Sequence, residues 1–475
     1  MKKQNYCVFL LLIFVFSFAG AQELRLIKGR VTDSIPVQDS LGGSYALYVP
    51  QSFEAEKANP IIFVFDPEGR GRLAAQLFRG VAEEHSYVIA SSNVNMEQDS
   101  LQENVTQALR MIGSVVKTIP IETDEIFAAG LNEGAQVASA LPLIYSDIDG
   151  VLAIGNAVLN PDFVVEKNTF MFSAIVSELD YQKFQMESYV DFFEDRGFPA
   201  ELNYYSDSPE KWPDTQVINS AVAGFVLNAM ERGSRDRDAA VVESLFQNGL
   251  EHAESLRRKR EYYPAYVKLE QMEEKYQDYN FDDILKERKR DLRRTRAFKK
   301  QRRESRRVKA REEIKQQDYI YFLENDLAIA NFENIGWWAY QLDELKELQE
   351  KGSGVEQKMA HRLEGFLKSY SKVKYDDIQR SNAHLDVRIF ASLLRTVLDK
   401  ENPEPYLNIV KLAGQDGDYE TALLYLEDLL KLGFDDMEAL YNIPGILDLK
   451  LSPEYNELIQ QYLGESKYYQ AELLD

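Results

Sequence analysis

Short apolar runs alternate with helical stretches from about Leu24 to Met230. Buried parallel strands are nearly continuous apolar runs, whereas the helices between them repeat their apolar positions about every 3.6 residues. The pattern therefore predicts a mostly parallel sheet with helices on both faces. The predicted strands are RLIKGRV, YALYVP, IIFVFD, YVIASS, EIFAAG, GVLAIG, FMFSAIV and ELNYYS.

From about Asp236 onward the chain has helical periodicity and no strand pattern. One amphipathic helix pair is predicted between Glu243 and Tyr279, and a further apolar helix between Asp326 and Leu348. In the first pair the facing apolar positions are Leu245, Leu250, Ala253 and Leu256 on one helix, and Tyr266, Leu269, Met272 and Tyr276 on the other.

A second helix pair is predicted between Pro405 and Pro444. Its small and aromatic residues are Ala413, Gly414, Tyr419, Ala422 and Leu426, with a Gly-Asp turn between the helices. This spacing resembles a tetratricopeptide unit, over some 40 residues in each pair. The resemblance implies a stack of helices that binds a protein partner. Tyr419, Ala422, Leu426 and Leu430 should form the packed face, leaving Glu420, Tyr425, Glu427 and Asp428 for solvent or a partner.

The segment IFAAGLNEGAQVA, residues 126–138, joins the fifth predicted strand to a helix. A strand, G-x-S-x-G and a helix form the nucleophile elbow, a strained turn that exposes a serine oxygen. Gly130 and Gly134 match the two elbow glycines, but Asn132 takes the place of the serine. With eight strands in this layout, the first 230 residues resemble the α/β-hydrolase fold.

The resemblance implies where the other parts of a hydrolase site would lie. The loop from Asp66 to Gly71 follows the third strand, at the family's oxyanion-loop position. Glu68 and Gly69 of this loop, together with Glu133 beside the elbow, are the candidate pocket residues.

The triad acid and histidine of such a site would follow the seventh and eighth strands. The segment VSELDYQKF offers Asp180 at the acid position. Asp207 follows the eighth strand, where similar esterase-like and depolymerase-like proteins carry a histidine before Trp-Pro, and here that histidine is missing. Asn132, Asp180 and Asp207 are therefore predicted to be vestigial triad positions.

Serine hydrolysis needs a histidine that accepts the proton of the nucleophile. His85 is the only histidine of the α/β region, and it immediately precedes the fourth strand. It should lie on a surface loop at the edge opposite the active site, which forms at the carboxyl ends of the strands. A histidine from the helical region, His252, His361 or His384, could reach the elbow only if the two parts fold together.

Asn132 has two interpretations that the sequence leaves open. Its amide could donate a hydrogen bond to an oxyanion, although it cannot act as a nucleophile by proton transfer. Alternatively, asparagine was accepted there because it tolerates the positive φ of an elbow.

The acidic residues near the elbow permit other chemistry. Asp180 and Asp207 could form a glycosidase-like carboxylate pair, and Glu133 with them could hold a cation or a sugar. No histidine lies at metal-ligand spacing, so neither a metal nor a cofactor is predicted.

The first residues are typical of a secretory signal peptide. Two lysines precede an apolar run from Val8 to Phe18, and Ala19-Gly20-Ala21 forms an A-x-A cleavage site. We expect cleavage after Ala21 and a periplasmic or secreted protein that is not transmembrane. The single cysteine, Cys7, would be removed with the leader, so the mature chain would contain no thiol.

Charge is strongly segregated along the chain. The formal net charge is −23, from 78 acidic and 55 basic residues, which argues against non-specific nucleic-acid binding. The run from Lys286 to Arg311 holds 15 basic and 3 acidic residues, whereas the rest carries 40 basic and 75 acidic residues. We expect a helix about 40 Å long at 1.5 Å per residue. It would serve as a solvated linker, a contact with an acidic surface of this protein or a partner, or a contact with anionic lipid or polysaccharide.

These patterns divide the chain into six parts: a signal peptide (1–21), an α/β-hydrolase-like domain (22–232), a tetratricopeptide-like helical pair (233–281), a basic helix (282–316), a helical region (317–400) and a tetratricopeptide-like C-terminal region (401–475).

The sequence favours an exported, catalytically inactive hydrolase-like protein that binds or scaffolds through its helices. An active esterase or carbohydrate-processing hydrolase with an unorthodox site around Asp180 is one alternative. A purely structural module of an envelope assembly is another. Trp337 and Trp338 are predicted to pack in the helical core rather than to stack on sugars.

Overall fold

The structure is a computed structural model that describes residues 26–97, 99–160 and 169–468. The predicted signal peptide and Cys7 lie outside the described residues. Within these described residues, eight strands form one sheet in the order β1-β2-β4-β3-β5-β6-β7-β8. They are β1 (Val31–Pro36), β2 (Ser44–Tyr48), β3 (Asn59–Phe65), β4 (Val88–Ser92), β5 (Ile121–Leu131), β6 (Gly150–Ile154), β7 (Met171–Ser177) and β8 (Ala200–Tyr205).

The sheet is mostly parallel, as predicted. β2 pairs antiparallel with both β1 and β4, while β3, β4, β5, β6 and β7 are joined by parallel pairs. The central strands are buried on both faces, which explains their continuous apolar runs. The helices of this part are α1 (Gly71–Leu77), α2 (Arg79–His85), α3 (Leu101–Thr118), α4 (Glu133–Ala140), α5 (Lys183–Glu194) and α6 (Thr215–Arg232).

The predicted position of the first strand was wrong. Residues 25–31 were expected to be extended, but β1 begins only at Val31. Gly29 has a φ of 73° in the preceding turn, and its N–H donates to the Val49 carbonyl at 2.8 Å. The glycine therefore bends the chain before the strand starts.

The rest of the chain is helical in the described residues, which confirms the predicted class. The helices are α7 (Ala239–Arg258), α8 (Tyr262–Lys275), α9 (Asp282–Arg294), α10 (Arg296–Ile329), α11 (Ile335–Lys351), α12 (Gly354–Arg380), α13 (Leu385–Leu398), α14 (Pro403–Asp416), α15 (Tyr419–Lys431), α16 (Met437–Asn442), α17 (Leu447–Leu451) and α18 (Pro453–Leu463). No helix in the described part of the chain combines the length and the hydropathy needed to span a membrane.

The described residues form two compact units that do not follow chain order. The first contains the described residues up to Ile175, Met186–Asn203 and Trp212–Leu245. The second contains Val176–Gln185, Tyr204–Lys211 and the described residues from Phe246 onward. The segments that follow β7 and β8 therefore group with the helices.

The predicted helix pairs are present. α7 and α8 meet closely in the second unit, because a Cβ on Gly249 would lie 2.8 Å from Cε of Met272. Between α14 and α15, Gly417 has a φ of 85° and Asp418 caps α15 by accepting from the Thr421 N–H at 3.1 Å.

The predicted packed face of α15 is partly wrong. Ala422, Leu426 and Leu430 are buried, but Tyr419 is 39% exposed. Tyr425, assigned to solvent or a partner, is half-buried with its ring 6.4 Å from that of Tyr406. Tyr419 is the first residue of α15.

The expected single basic helix is two helices. α9 ends at Arg294, and Thr295 leaves the helical conformation with a φ of −75° and a ψ of 146°. The Thr295 hydroxyl caps α10 by accepting from the Phe298 N–H at 3.1 Å. Threonine is a preferred N-cap, and this local signal overrides the continuous charge pattern.

Candidate functional site

The elbow is present at the carboxyl end of β5. Asn132 lies between β5 and α4 with a φ of 49° and a ψ of −109°. Its N–H donates to the Ile154 carbonyl at 2.9 Å, and its own carbonyl accepts from the Ala135 N–H at 3.0 Å. The turn is therefore fixed by backbone bonds on both sides.

Both elbow glycines are sterically required. A Cβ on Gly130 would lie 2.2 Å from the carbonyl carbon and oxygen of Gly134. A Cβ on Gly134 would lie 2.1 Å from the Phe65 carbonyl oxygen. Real Cβ contacts are never this short, so the strand and helix approach each other only because these side chains are absent.

The positive φ predicted for Asn132 is confirmed. Its ψ, however, lies far from the left-handed helical region that asparagine tolerates. The two angles match the first central position of a type II′ turn, where glycine is the usual residue. Asn132 thus has a strained backbone at the central position of the turn between β5 and α4.

The loop after β3 is organised around Asp66, a residue whose role the sequence did not indicate. Asp66 is fully buried and accepts two hydrogen bonds from the Arg70 guanidinium, each at 3.0 Å. The Trp212 indole donates to it at 2.7 Å, and the backbone N–H groups of Glu68 and Arg70 donate at 3.1 Å each. Burial would raise the pKa of Asp66, but the bonds from Arg70 and Trp212 outweigh it and hold the pKa below its usual value.

The charge of the Asp66 carboxylate is therefore balanced by Arg70, and its oxygens accept five hydrogen bonds from within the chain. Trp212 belongs to the Trp-Pro motif that follows Asp207 in the sequence. Its indole N–H joins this motif to the loop after β3, and its ring packs edge-on against Phe78 at 5.8 Å.

The candidate pocket residues differ in their surroundings. Glu68 pairs with Arg70 at 2.9 Å and is half exposed, while Glu133 is exposed in the first turn of α4. Gly69, with a φ of 71°, is packed tightly, because a Cβ there would lie 2.7 Å from the Asn93 carbonyl oxygen. A shallow cavity of about 330 Å³ is lined by Gly69 and Asn93 among others. Assignment of these residues to a pocket remains a prediction.

Asp180 is a buried carboxyl in the segment after β7. It is 3% exposed, and its Oδ1 accepts from the Gln182 N–H at 2.9 Å. Burial raises the pKa of Asp180 to about 6, although the Gln182 N–H opposes this shift. A carboxyl of this kind changes charge near neutral pH, which makes Asp180 the most chemically distinctive of the predicted site residues.

Asp207 is exposed in the segment after β8. Its carboxylate accepts from the Ser208 N–H at 2.8 Å, and its carbonyl accepts from the Ser177 hydroxyl at 2.6 Å. These contacts are typical of a loop-ordering aspartate.

The segment after β7 is held by α12 within the second unit. Glu178 pairs with Lys358, and the Glu178 carbonyl accepts from the Arg362 guanidinium at 2.5 Å. The Ser369 hydroxyl donates to the Tyr181 hydroxyl at 2.9 Å. The acid-position segment is therefore anchored to the helical region on both sides of Asp180.

His85 was predicted to be a surface residue, and this prediction was wrong. It ends α2, before β4, but it is only 6% exposed. Burial, with a contribution from the charge of Arg235, lowers the pKa of His85 to about 4. Its ring packs edge-on against Tyr87 at 6.5 Å, so packing of the helix end covers it.

The other predicted features lie in the helical region. His361 and His384 are exposed, and His252 is half-buried. Trp338 is fully buried and donates to Asp326 at 2.8 Å, as core packing predicts. Among the described residues, no group of three or more His, Cys, Asp or Glu side chains could hold a metal ion.

Comparison with known proteins gives only distant likenesses. No protein-family profile matches the sequence, and no curated protein does. A hyperthermophilic esterase from the archaeon Pyrobaculum calidifontis is 15% identical, with a TM-score of 0.30, over 38% of this chain and 77% of that one. The serine hydrolase FphF of Staphylococcus aureus is 11% identical, with a TM-score of 0.32, over 40% of this chain and 94% of that one. Likeness at this level says nothing about chemistry.

Proposed function

We propose that the α/β-hydrolase-like domain is catalytically inactive and that the protein acts by binding or scaffolding. Asn132 at the strained elbow position is the observation that carries this proposal. An amide nitrogen has a delocalised lone pair and cannot replace an activated hydroxyl. The strained turn at residue 132 is present, but it carries no hydroxyl oxygen that could attack a substrate.

Two further features support inactivity. A buried His85 whose pKa is lowered to about 4 is a poor proton acceptor, and it precedes β4 rather than following a strand. Asp66, in the oxyanion-loop position, is saturated by Arg70 and Trp212. Neither group is poised to assist a nucleophile.

Hydrolysis of p-nitrophenyl acetate by the purified protein tests the proposal, with heat-denatured protein as the background. We expect no turnover above background and no labelling by a fluorophosphonate probe. Asn132→Ser should also be inactive, because triad members act as a unit and the proton acceptor is still missing. Substantial activity of Asn132→Ser would show that a histidine from elsewhere reaches the elbow.

We assign the binding role to the C-terminal helices. Several large apolar side chains between residues 419 and 451 are exposed, and exposed apolar surface often marks a protein interaction site. They are Tyr419 (39%), Leu424 (53%), Leu432 (51%), Leu447 (61%) and Leu451 (53%).

A matched pair of variants tests this assignment. Leu424→Asn with Leu447→Asn should lose partners that the unmodified protein captures from envelope extract. Ile144→Asn, at a position 63% exposed in the first unit, should retain them. If both variants capture the partners equally well, the interaction surface does not lie on the C-terminal helices.

Export to the periplasm or beyond is part of the proposal and rests on residues 1–21 alone. The intact mass of protein recovered from the envelope fraction should correspond to a chain that begins at Gln22. An uncleaved chain in the cytoplasmic fraction would contradict export.

Asp180 favours one alternative function, an unorthodox hydrolase. Its pKa of about 6 would let it exchange a proton near neutral pH. Ester or glycoside turnover that disappears in Asp180→Ala but persists in Asp207→Ala would establish this alternative and refute the inactive-domain proposal.

A further inference from the structure

The solvent face of α10 carries one continuous stripe of exposed residues. Successive steps of three or four residues place side chains on the same helix face. The stripe runs through Arg296, Lys300, Arg303, Arg307, Ala310, Ile314, Asp318 and Tyr321, all exposed. At 1.5 Å per residue it is about 38 Å long.

The first half of the stripe is cationic and poorly neutralised. Arg296, Lys300 and Arg303 form no ion pair with any residue that the structure describes. Arg307 lies within electrostatic range of Glu356, and Asp318 is the acidic residue of the stripe. Uncompensated cations on a chain whose remainder is strongly acidic attract anionic surfaces.

The second half of the stripe exposes apolar side chains. Ile314 is 60% and Tyr321 65% exposed, and the neighbouring Phe322 is 40% exposed. Tyrosine is favoured at membrane interfaces because its ring enters the apolar boundary while its hydroxyl stays hydrated.

We propose that α10 docks on an anionic lipid surface. Arg296, Lys300 and Arg303 contact headgroup phosphates, for which guanidinium groups are suited by their paired donors. Ile314 and Tyr321 enter the interface at the other end of the stripe. A hydrated polyanion would match the cations equally well, but it would leave these apolar side chains without a partner, so the stripe as a whole favours lipid.

Vesicle sedimentation tests the proposal with the chain from Gln22 onward, because the apolar run at residues 8–18 would itself enter a bilayer. Phosphatidylcholine vesicles with and without phosphatidylglycerol are the probes. We expect binding only to the anionic vesicles, and weaker binding as salt rises, because screening shortens the range of these charges.

Variants assign the binding to the stripe. Arg296→Gln, Lys300→Gln and Arg303→Gln together should weaken binding by about a hundredfold, since each cation contributes about fivefold near an anionic membrane. The matched control changes three exposed lysines, Lys211, Lys259 and Lys346, to glutamine and should weaken binding much less. Ile314→Ser should lower the affinity by about tenfold at low and high salt alike, because burial of an apolar side chain is not screened.

Three results would overturn the proposal. They are equal binding to both vesicle types, equal loss in the stripe and control variants, and binding to dextran sulfate without binding to anionic vesicles. The last result would assign the stripe to a soluble polyanion. Circular dichroism of the triple variant should match that of the unmodified protein. Cations near a helix N-terminus interact unfavourably with the helix dipole, so their removal should not destabilise α10.

Discussion

The Phe65 carbonyl oxygen lies 2.1 Å from the position that a Cβ on Gly134 would occupy. We expect Gly134→Ala to destabilise the protein by about 3 kcal/mol or more, because backbone atoms must move to admit the methyl group. Chemical unfolding measures the change.

Gly113→Ala is the matched control for this substitution. Gly113 lies within α3, and a Cβ there meets no atom within 4 Å. Alanine should stabilise this helix by up to about 1 kcal/mol through its helix propensity. If the two substitutions destabilise alike, close packing at the elbow is not what requires Gly134.

Asn132 offers a test of backbone strain. Asn132→Gly and Asn132→Ala both remove the side-chain amide, but only glycine adopts a φ of 49° and a ψ of −109° at little cost. The glycine variant should therefore have the higher free energy of unfolding, by about 1 kcal/mol. An alanine variant as stable as the glycine variant would show that the elbow relaxes once asparagine is removed.

Asp180 should make stability depend on pH. Burial raises its pKa to about 6, above the value of about 3.9 for an unfolded aspartate, so the folded chain retains a proton that the unfolded chain releases. The protonated, uncharged carboxyl is buried at no electrostatic cost below about pH 4. This favourable state is lost as the pH rises through about 6, because the buried group must then carry a charge. Asp180→Asn should therefore stabilise the protein by about 3 kcal/mol near pH 8, with little change near pH 4.

Unfolding curves at the two pH values check this expectation. Asparagine can still accept the Gln182 N–H through its side-chain oxygen, so the substitution mainly removes the titration. Asp207→Asn, at an exposed position, should show no pH-dependent gain. Destabilisation of Asp180→Asn at both pH values would mean that the charged carboxylate is needed for folding.

The buried Arg362–Glu312 pair should be strongly coupled. Two hydrogen bonds, at 2.7 and 2.5 Å, join their side chains, and Glu312 is 0% exposed. Arg362→Met should cost about 3–5 kcal/mol, because it leaves a buried carboxylate without a partner. Adding Glu312→Leu should restore much of that loss.

The exposed Lys351–Glu347 pair serves as the comparison. It lies on one helix at i,i+4 spacing, and Lys351→Met should change the free energy of unfolding by less than about 0.5 kcal/mol. Similar losses for Lys351→Met and Arg362→Met would contradict the role given to burial.

The sequence by itself determined the features that depend on local pattern. Apolar runs located seven of the eight strands, and paired glycines located the elbow, because steric demands within a few residues select both. The predicted position of the first strand was wrong because the turn at Gly29 and the pairing with β2, rather than the apolar run, decide where β1 begins. The prediction of a single basic helix was wrong because the chain leaves the helical conformation at Thr295, which caps the next helix.

The missing serine of the elbow was also readable from the sequence, whereas the electrostatic state of the surrounding groups was not. Asp66 and Trp212 are 146 positions apart, and only folding brings the indole to the carboxylate. The tertiary structure likewise buried His85 and Asp180 and left Tyr419 exposed. Burial and hydrogen-bond partners depend on residues remote in the chain, so only the folded protein decides which acidic groups are neutralised and which pKa values move.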